Sequence, residues 1–386
     1  MKKICIVTGS RAEYGLLKPI IKGIKDDKDF ILQIVVTGSH LSTEFGLTYK
    51  TIEDDGFIID EKVEMLLSSD TKIGINKSIG LSIISFGEVF ERLKPDLIVV
   101  LGDRYEIFAV CICAMVCNIK IAHLHGGEIT EGAIDDSIRH CITKMSHIHF
   151  TSTEEYKNRV IQLGEQPETV FNVGAIGTEN IKKLNLLNKE QLEKRINFKI
   201  KNNTVILTFH PVTLENKSSK EQFKNILDAI DSIKDINVIF TKANADTDGR
   251  IINNMIDEYV SKNKNTIAFD TMGQLNYFSA LQFVDAVVGN SSSGIIEVPT
   301  FKIPTVNIGN RQKGRICSHS VINCDYEKNN IEMSIKKALS KSFKEEIKRY
   351  NNPYEKDNTC KNIIYYIKQF LKNNNDNMKK FYDIKF

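Results

Sequence analysis

Two histidines, two glycines and a glutamate crowd into KIAHLHGGE at residues 120–128, directly behind an apolar run. In a strand His123 and His125 would point to one face, which could begin a metal pair, but no third and fourth ligand follow at the spacings zinc sites use. Acid/base chemistry fits the stretch better. Two glycines would let the backbone approach a ligand closely, and Glu128, Asp135 and Asp136 supply carboxylates next to the histidines. The competing reading leaves both histidines satisfied by local hydrogen bonds.

Residues of similar type recur along the chain. Arg11 stands in GSRAEYG, His40 in VTGSH, Asp103 and Arg104 in GDRYE, His210 in FHPVTLEN, Asn244 in TKANAD, and Ser291 and Ser292 in GNSSSG. In GNSSSGIIEV a strand runs into a helix, so Asn290 or Ser291 can cap it, while free amides and three hydroxyls make a cradle for phosphate. Arg311, Lys313 and Arg315 follow closely and suit the same anion. GSRAEYG lacks the GxGxxG spacing of a dinucleotide fingerprint, so NAD is unsupported; Arg11 there either clamps phosphate or braces a turn.

These loops need a scaffold. A strand at Lys3 to Thr8 precedes GSRAEYG and a helix in LLKPIIKGI; ILQIVVTG, a helix around Ser78 to Leu93, and DLIVVLG come next. FAVCICAMVC reads as a buried helix, IKIAHLH as a strand, IDDSIRHCITKMS as a helix and HIHFTST as a strand. After a polar stretch at Asn185 to Asn203 the alternation restarts with TVILTFHP, INVIFTKAN, NTIAFD, FVDAVVGNSS and IPTVNIG. Continuous apolar strands alternating with helices predict an α/β fold with parallel sheets covered on both faces, and ligands then bind beyond the carboxyl ends of the strands. Nearly all the polar loops named above fall there, which favours an enzyme.

The whole chain sets bounds on this. Its 386 residues suit two domains. Fifty-two basic against 49 acidic side chains leave a net charge of +3, too near balance to indicate nucleic acid or an anionic membrane surface. The apolar runs fall short of a membrane span, and MKKICIVTGS breaks into turn residues where a signal peptide would continue apolar, so the expected location is cytoplasmic. Of eight cysteines, Cys111, Cys113 and Cys117 lie in an apolar stretch without a CxxC pair, as expected of reduced core residues. The final CKNIIYYIKQFLKNNNDNMKKF reads as one amphipathic helix followed by a polar tail that need not be ordered.

Taken in order, GSRAEYG, GDRYE, HLHGGEITEGAIDDSIRHCITKMSHIHF, FHPVTLEN and GNSSSGIIEVPTFKIPTVNIGNRQKGR resemble the UDP-N-acetylglucosamine 2-epimerases, in particular the hydrolysing branch that feeds sialic and legionaminic acid synthesis. The resemblance runs from Ile4 to about Ile367. It implies the GT-B architecture: Rossmann-like domains at 1–172 and 173–355, nucleotide sugar bound in the cleft between them, and a helix and tail at 356–386 crossing back to the first. It implies no cofactor and no metal, and a homodimer. The implied reaction expels nucleoside diphosphate from C1 while the C2 proton is removed, then hydrates the 2-acetamidoglucal to a free manno-configured sugar.

Carried over by position, Asp103 resembles the first acid/base carboxylate, Arg104 a phosphate-binding arginine, and His210 the histidine that meets the diphosphate. Asp135 or Asp136 matches the later acidic position. Ser291, Ser292 and Glu297 resemble phosphate and ribose contacts; Arg11, Asn244 and Arg311 resemble further nucleotide contacts, with His40 and His123 grouped among the substrate-binding residues. Where many relatives have HxEAG or HxEGG this chain has HLHGG, so either His125 occupies the acid/base role or Glu128 or Glu131 takes it over. NPYEKDNT from Asn352 also departs from the usual NPYGDG. The sugar is UDP-N-acetylglucosamine or a UDP- or GDP-linked 2,4-diacetamido-2,4,6-trideoxyglucose. A GT-B glycosyltransferase and a non-catalytic nucleotide-sugar binding protein are the alternatives.

Overall fold

The central strands are apolar runs rich in β-branched residues: LIVVL at 97–101 and TVILT at 204–208 are buried from end to end, as a parallel sheet with helices on both faces requires. The computed structural model describes residues 1–67, 71–131, 134–211, 219–243, 249–373 and 378–384. Its elements begin β1 (Lys2–Thr8), α1 (Arg11–Asp26), β2 (Phe30–Thr37), α2 (Tyr49–Asp54), β3 (Glu61–Val63), α3 (Lys72–Leu93), β4 (Leu97–Leu101) and α4 (Tyr105–Val116). β5 (Lys120–Leu124), α5 (Ile134–Met145), β6 (Ile148–Thr151), α6 (Glu154–Gln162), β7 (Val170–Asn172) and α7 (Ile176–Lys183) follow. Then come α8 (Lys189–Ile196), β8 (Thr204–Thr208), α9 (Ser219–Asp231), β9 (Asn237–Thr241), α10 (Gly249–Lys262), β10 (Thr266–Phe269) and α11 (Gly273–Leu281). The series closes with β11 (Ala286–Gly289), α12 (Ser293–Ile296), β12 (Thr305–Ile308), β13 (Val321–Cys324), α13 (Lys328–Leu339), α14 (Lys341–Ile347) and α15 (Thr359–Asn373).

The chain forms two compact units, one of residues 1–128, 134–180 and 356–386, the other of residues 129–133 and 181–355. Each has a parallel sheet, in the orders β3-β2-β1-β4-β5-β6-β7 and β10-β9-β8-β11-β12-β13. Strand order reverses between β1 and β4 in the first sheet and between β8 and β11 in the second, and ligands of open α/β sheets bind at such points.

The first unit runs past residue 172 because Asn180 is tied into it. Pro19 in α1 has no amide hydrogen to give the Gly15 carbonyl, and Asn180 Nδ2 donates to that oxygen instead at 3.3 Å. α15 returns to the same unit: Cys360, Ile363, Ile367 and Leu371 are buried along one stripe, and each such Ile or Leu contributes about 1.5–3 kcal/mol. Its Tyr366 stacks on Phe171 with ring centroids 3.9 Å apart, and Lys368 pairs with Asp29 at 2.6 Å.

Several sequence expectations shift. α3 starts at Lys72 rather than near Ser78, because Thr71 caps it by accepting from Gly74 N at 3.1 Å. It is also long and apolar enough to cross a membrane by length and composition, which serine and glycine hide from a search for unbroken apolar runs; Phe86, Val89 and Phe90 pack it into the core. Cys117 lies at the C-cap of α4 and is exposed, unlike Cys111 and Cys113. The polar tail is docked at 378–384. Lys379 Nζ lies 2.8 Å from Glu165 Oε2, Tyr382 N donates to the Gly164 carbonyl at 2.9 Å, and Phe381 lies beneath Lys144.

Candidate active site

At the first switch point Gly102, at φ +78°, turns the chain out of β4 and sends Asp103 and Arg104 off the sheet edge. Arg139, inside α5 and 1% exposed, donates through Nη2 to Asp103 Oδ2 and through Nη1 to the Glu128 carbonyl at 2.7 Å, with Asp136 Oδ1 at 3.7 Å. One buried guanidinium thus ties the side chains of Asp103 and Asp136 to the backbone of the loop that carries Glu128. Asp135 lies beside Asp136 in the first turn of α5, half-buried.

β5 ends at Leu124, and His125 adopts φ +64°, so the two histidines do not share a strand face. His123 is fully buried, with Nε2 2.8 Å from the Gly102 carbonyl and Nδ1 3.2 Å from Thr143 Oγ1. Burial pushes its pKa down to about 3. His40 is held in the same way, Nε2 at 3.2 Å from Thr8 Oγ1 and Nδ1 at 2.9 Å from Thr48 Oγ1, with a pKa lowered to about 4 by burial. Both rings are internal braces, fully buried with both ring nitrogens engaged.

His125 is placed differently. Its Nε2 accepts from Ile176 N at 3.4 Å, so Nδ1 carries the proton and donates to Glu128 Oε1 at 3.1 Å; the same oxygen accepts from Ser152 Oγ at 3.0 Å. His125 and Glu128 thus form a hydrogen-bonded pair within one loop. The glycines between them serve packing rather than ligand approach: a Cβ on Gly126 would lie 3.0 Å from His123 Nδ1, and one on Gly127, at φ +78°, 2.9 Å from Val160 Cγ2. Arg11 opens α1 and Arg104 precedes α4, both exposed.

The second switch point is built on Asn290. Its Oδ1 accepts from His210 N at 2.7 Å, its Nδ2 donates to the His210 carbonyl at 2.7 Å, and its own carbonyl accepts from Arg311 Nη1 at 3.0 Å and Gln312 Nε2 at 2.9 Å. Asn290 therefore staples the loops after β8 and β11, where the sequence suggested a helix cap. α12 begins without a side-chain cap at Ser292, and Ser291 Oγ accepts from Ser293 N at 3.4 Å. Ser291 and Ser292 are half-buried, and Glu297 follows at the C-terminal end of α12. Burial, reinforced by the Arg311 charge, lowers His210 to about 3, so the imidazole is neutral, and its Nδ1 has no hydrogen-bond partner among the described residues. Gly289, at φ +127°, is required because a Cβ there would collide with the Thr208 carbonyl.

Asn244 lies outside the described residues. Among the described residues no group of three or more His, Cys, Asp or Glu could hold a metal ion. The sequence reading gave Asn290 a capping role in place of its clamp on His210, and missed Arg139, Ser152 and Glu106. Of those three, Arg139 offered a signal, as the basic residue one helical turn after Asp136 in IDDSIRH.

Comparison with known proteins places this geometry in context. A family model described as UDP-N-acetylglucosamine 2-epimerase matches residues 22–368. The chain is 47% identical over 345 residues to the GDP/UDP-N,N'-diacetylbacillosamine 2-epimerase (hydrolyzing) of Campylobacter jejuni subsp. jejuni serotype O:2, covering 89% of each chain. It is 41% identical over 385 residues to the polysialic acid biosynthesis protein P7 of Escherichia coli, covering 100% of this chain and 98% of that one. A crystal structure of a UDP-N-acetylglucosamine 2-epimerase homologue from Listeria monocytogenes superposes with a TM-score of 0.82 at 17% identity over 100% of both chains, which shows the same two-unit α/β fold of the GT-B class.

Proposed function

Because the chain belongs to the UDP-N-acetylglucosamine 2-epimerase family, we propose that it is a hydrolysing 2-epimerase that converts a nucleotide-activated N-acetylhexosamine into the free manno-configured sugar and nucleoside diphosphate. The observation that carries this reading is the first switch point, where Arg139 holds Asp103 and Asp136 and a His125–Glu128 couple stands in the same network. The C2 hydrogen is not next to a carbonyl. Its acidity comes from positive charge that develops at C1 as the diphosphate departs, so removing it calls for a base close to carboxylates that stabilise that charge.

The first half-reaction moves the C2 proton to the His125–Glu128 couple while the C1–O bond breaks and its electron pair leaves with the diphosphate, giving the 2-acetamidoglucal. Water then adds hydroxyl at C1, and a proton returns to C2 from the opposite face. Two faces require two acid/base groups, and we assign the second role to Asp103 or to Asp135 and Asp136. The nucleotide contacts are assigned to His210, Ser291, Ser292, Glu297 and Arg311, with Arg11 and Arg104 on the diphosphate. A neutral His210 can donate to a phosphate oxygen or take up a proton as negative charge arrives, and Asn290 fixes the backbone that carries it.

The 47% identical relative is named for GDP- or UDP-linked diacetylbacillosamine, which supports the diacetamido sugar of the legionaminic branch over plain UDP-N-acetylglucosamine. The proposal includes a cytoplasmic location and a homodimer formed on α3, whose Ile73 and Ile84 are each 69% exposed. Rates of nucleoside diphosphate release from UDP-N-acetylglucosamine and from the UDP- and GDP-linked diacetamido sugars test the substrate. The diacetamido sugars are expected to turn over at least about tenfold faster in kcat/KM, as buried amide recognition allows. A preference for UDP-N-acetylglucosamine moves the enzyme to the sialic branch, and transfer of sugar to an acceptor without free sugar identifies a glycosyltransferase.

A further inference from the structure

Glu106 takes no part in the chemistry assigned above, yet it is buried to 0% exposure in the first turn of α4. An ionised carboxylate is costly in such a place unless partners compensate it, so its neighbours indicate its purpose. Oε1 accepts from Arg104 Nε at 2.6 Å, while Oε2 has no hydrogen-bond partner among the described residues. The loops after β1 and β2 are moulded around this side chain. A Cβ on Gly9 would come within 2.8 Å of Glu106 Cγ, and one on Gly38, at φ +58°, within 2.9 Å of the Gly9 carbonyl and 3.2 Å of Glu106 Oε1.

Glu13 belongs to the same cluster. It is 6% exposed and its Oε2 accepts from Gly9 N at 2.6 Å. Burial, with the nearby Glu106 charge adding to it, pushes its carboxyl up to about 8, so at neutral pH Glu13 holds a proton. Glu106 Oε1 faces Arg104. The Arg104 side chain is 45% exposed against 1% for Glu106, and its terminal nitrogens make no hydrogen bond among the described residues. Held through Nε alone, the guanidinium keeps its two-nitrogen fork for a bidentate anion.

We propose that Glu106 is a positioning residue for the diphosphate: it clamps Arg104 through Nε and, with Glu13 and the glycines of the two neighbouring loops, presents the guanidinium fork in one fixed orientation. The inference rests on the reading of this chain as a nucleotide-sugar enzyme with Arg104 on the diphosphate. Fixing the fork before the ligand arrives removes the ordering cost that a long flexible side chain otherwise meets on binding.

Titration calorimetry with UDP and with GDP, together with steady-state kinetics, on full-length Arg104→Ala, Glu106→Gln and the double variant tests it. Each single change is expected to weaken nucleoside diphosphate binding by about tenfold and to raise KM more than it lowers kcat. The double variant should be no weaker than Arg104→Ala alone, because Glu106 acts through Arg104. Glu106→Asp, which keeps the charge on a shorter stem, should fall between wild type and Glu106→Gln; it takes the place of Glu106→Gln in the cycle should thermal unfolding show that variant unfolded. Losses that add in the double variant, or wild-type binding by Glu106→Gln beside weak binding by Arg104→Ala, overturn the positioning role and leave the nucleotide reading intact. Full binding and turnover by Arg104→Ala overturn the diphosphate assignment and the inference together.

Discussion

The two switch points share a topology and are held together by opposite means. In the first unit charged groups are locked by charged groups, Arg139 on Asp103 and Asp136, and Arg104 on Glu106. In the second, a neutral side-chain amide pins the His210 backbone at two points, and Arg311 and Gln312 both land on a backbone carbonyl. The same topology thus fixes side-chain groups through charge in one unit and a backbone through a neutral amide in the other, which leaves His210 Nδ1 without a hydrogen-bond partner among the described residues.

The largest effect should come from breaking the ionic lock. Arg139→Ala leaves Asp103 and Asp136 without their buried partner, and is expected to lower kcat by at least about 100-fold and stability by about 3–5 kcal/mol, read from turnover and urea unfolding. Arg139→Lys should not restore turnover, because a point charge cannot reach Asp103 and the Glu128 carbonyl in one plane. Next comes the neutral clamp. Asn290→Ala removes two hydrogen bonds to His210 and is expected to cost about 2 kcal/mol in urea unfolding, with KM raised well beyond any loss in kcat. A kcat loss as deep as that of Arg139→Ala would erase the contrast between the sites.

A pH series sharpens the comparison. His40, His123 and His210 have pKa values depressed by burial from 6.5 to about 4, 3 and 3, so the unfolded chain takes up protons that the folded chain refuses. Their contribution to stability is present above about pH 6.5 and is lost as pH falls toward those values. Glu13 acts in the opposite sense: raised from 4.5 to about 8, it favours the folded state most below pH 4.5 and loses that contribution as pH rises through 8. Urea midpoints should therefore fall between pH 6.5 and 4, and His123→Asn should flatten that slope by up to about 1.4 kcal/mol per pH unit. The smallest effect is expected from ending the chain before Met378. Losing the Lys379–Glu165 pair and the Tyr382 backbone contact should lower Tm by a few degrees, on the order of 2–5 °C, without changing KM.

The alternation of strands and helices was legible because apolar runs such as LIVVL and TVILT have no other stable placement, and the loops at the strand ends followed from it. What was not legible depends on partners far away in sequence. Arg139 meets Asp103 across 36 residues and Asn290 meets His210 across 80, and no local period records such pairings. A strand pattern also placed His125 on the face of His123, because it cannot foresee the left-handed residue that ends β5. The docking of the tail was not legible for a similar reason: its composition is that of a segment that need not be ordered, yet Lys379 and Phe381 find Glu165 and Gly164 more than 200 residues earlier.

A first unit that removes and replaces the proton at C2 while diphosphate leaves C1 must exchange that hydrogen with solvent. Proton NMR of the reaction in deuterated water tests it most directly, with the UDP- and GDP-linked diacetamido sugars and UDP-N-acetylglucosamine as substrates. Free manno-configured sugar carrying deuterium at C2 is expected, formed together with nucleoside diphosphate. Free sugar that keeps its original hydrogen at C2 would contradict it.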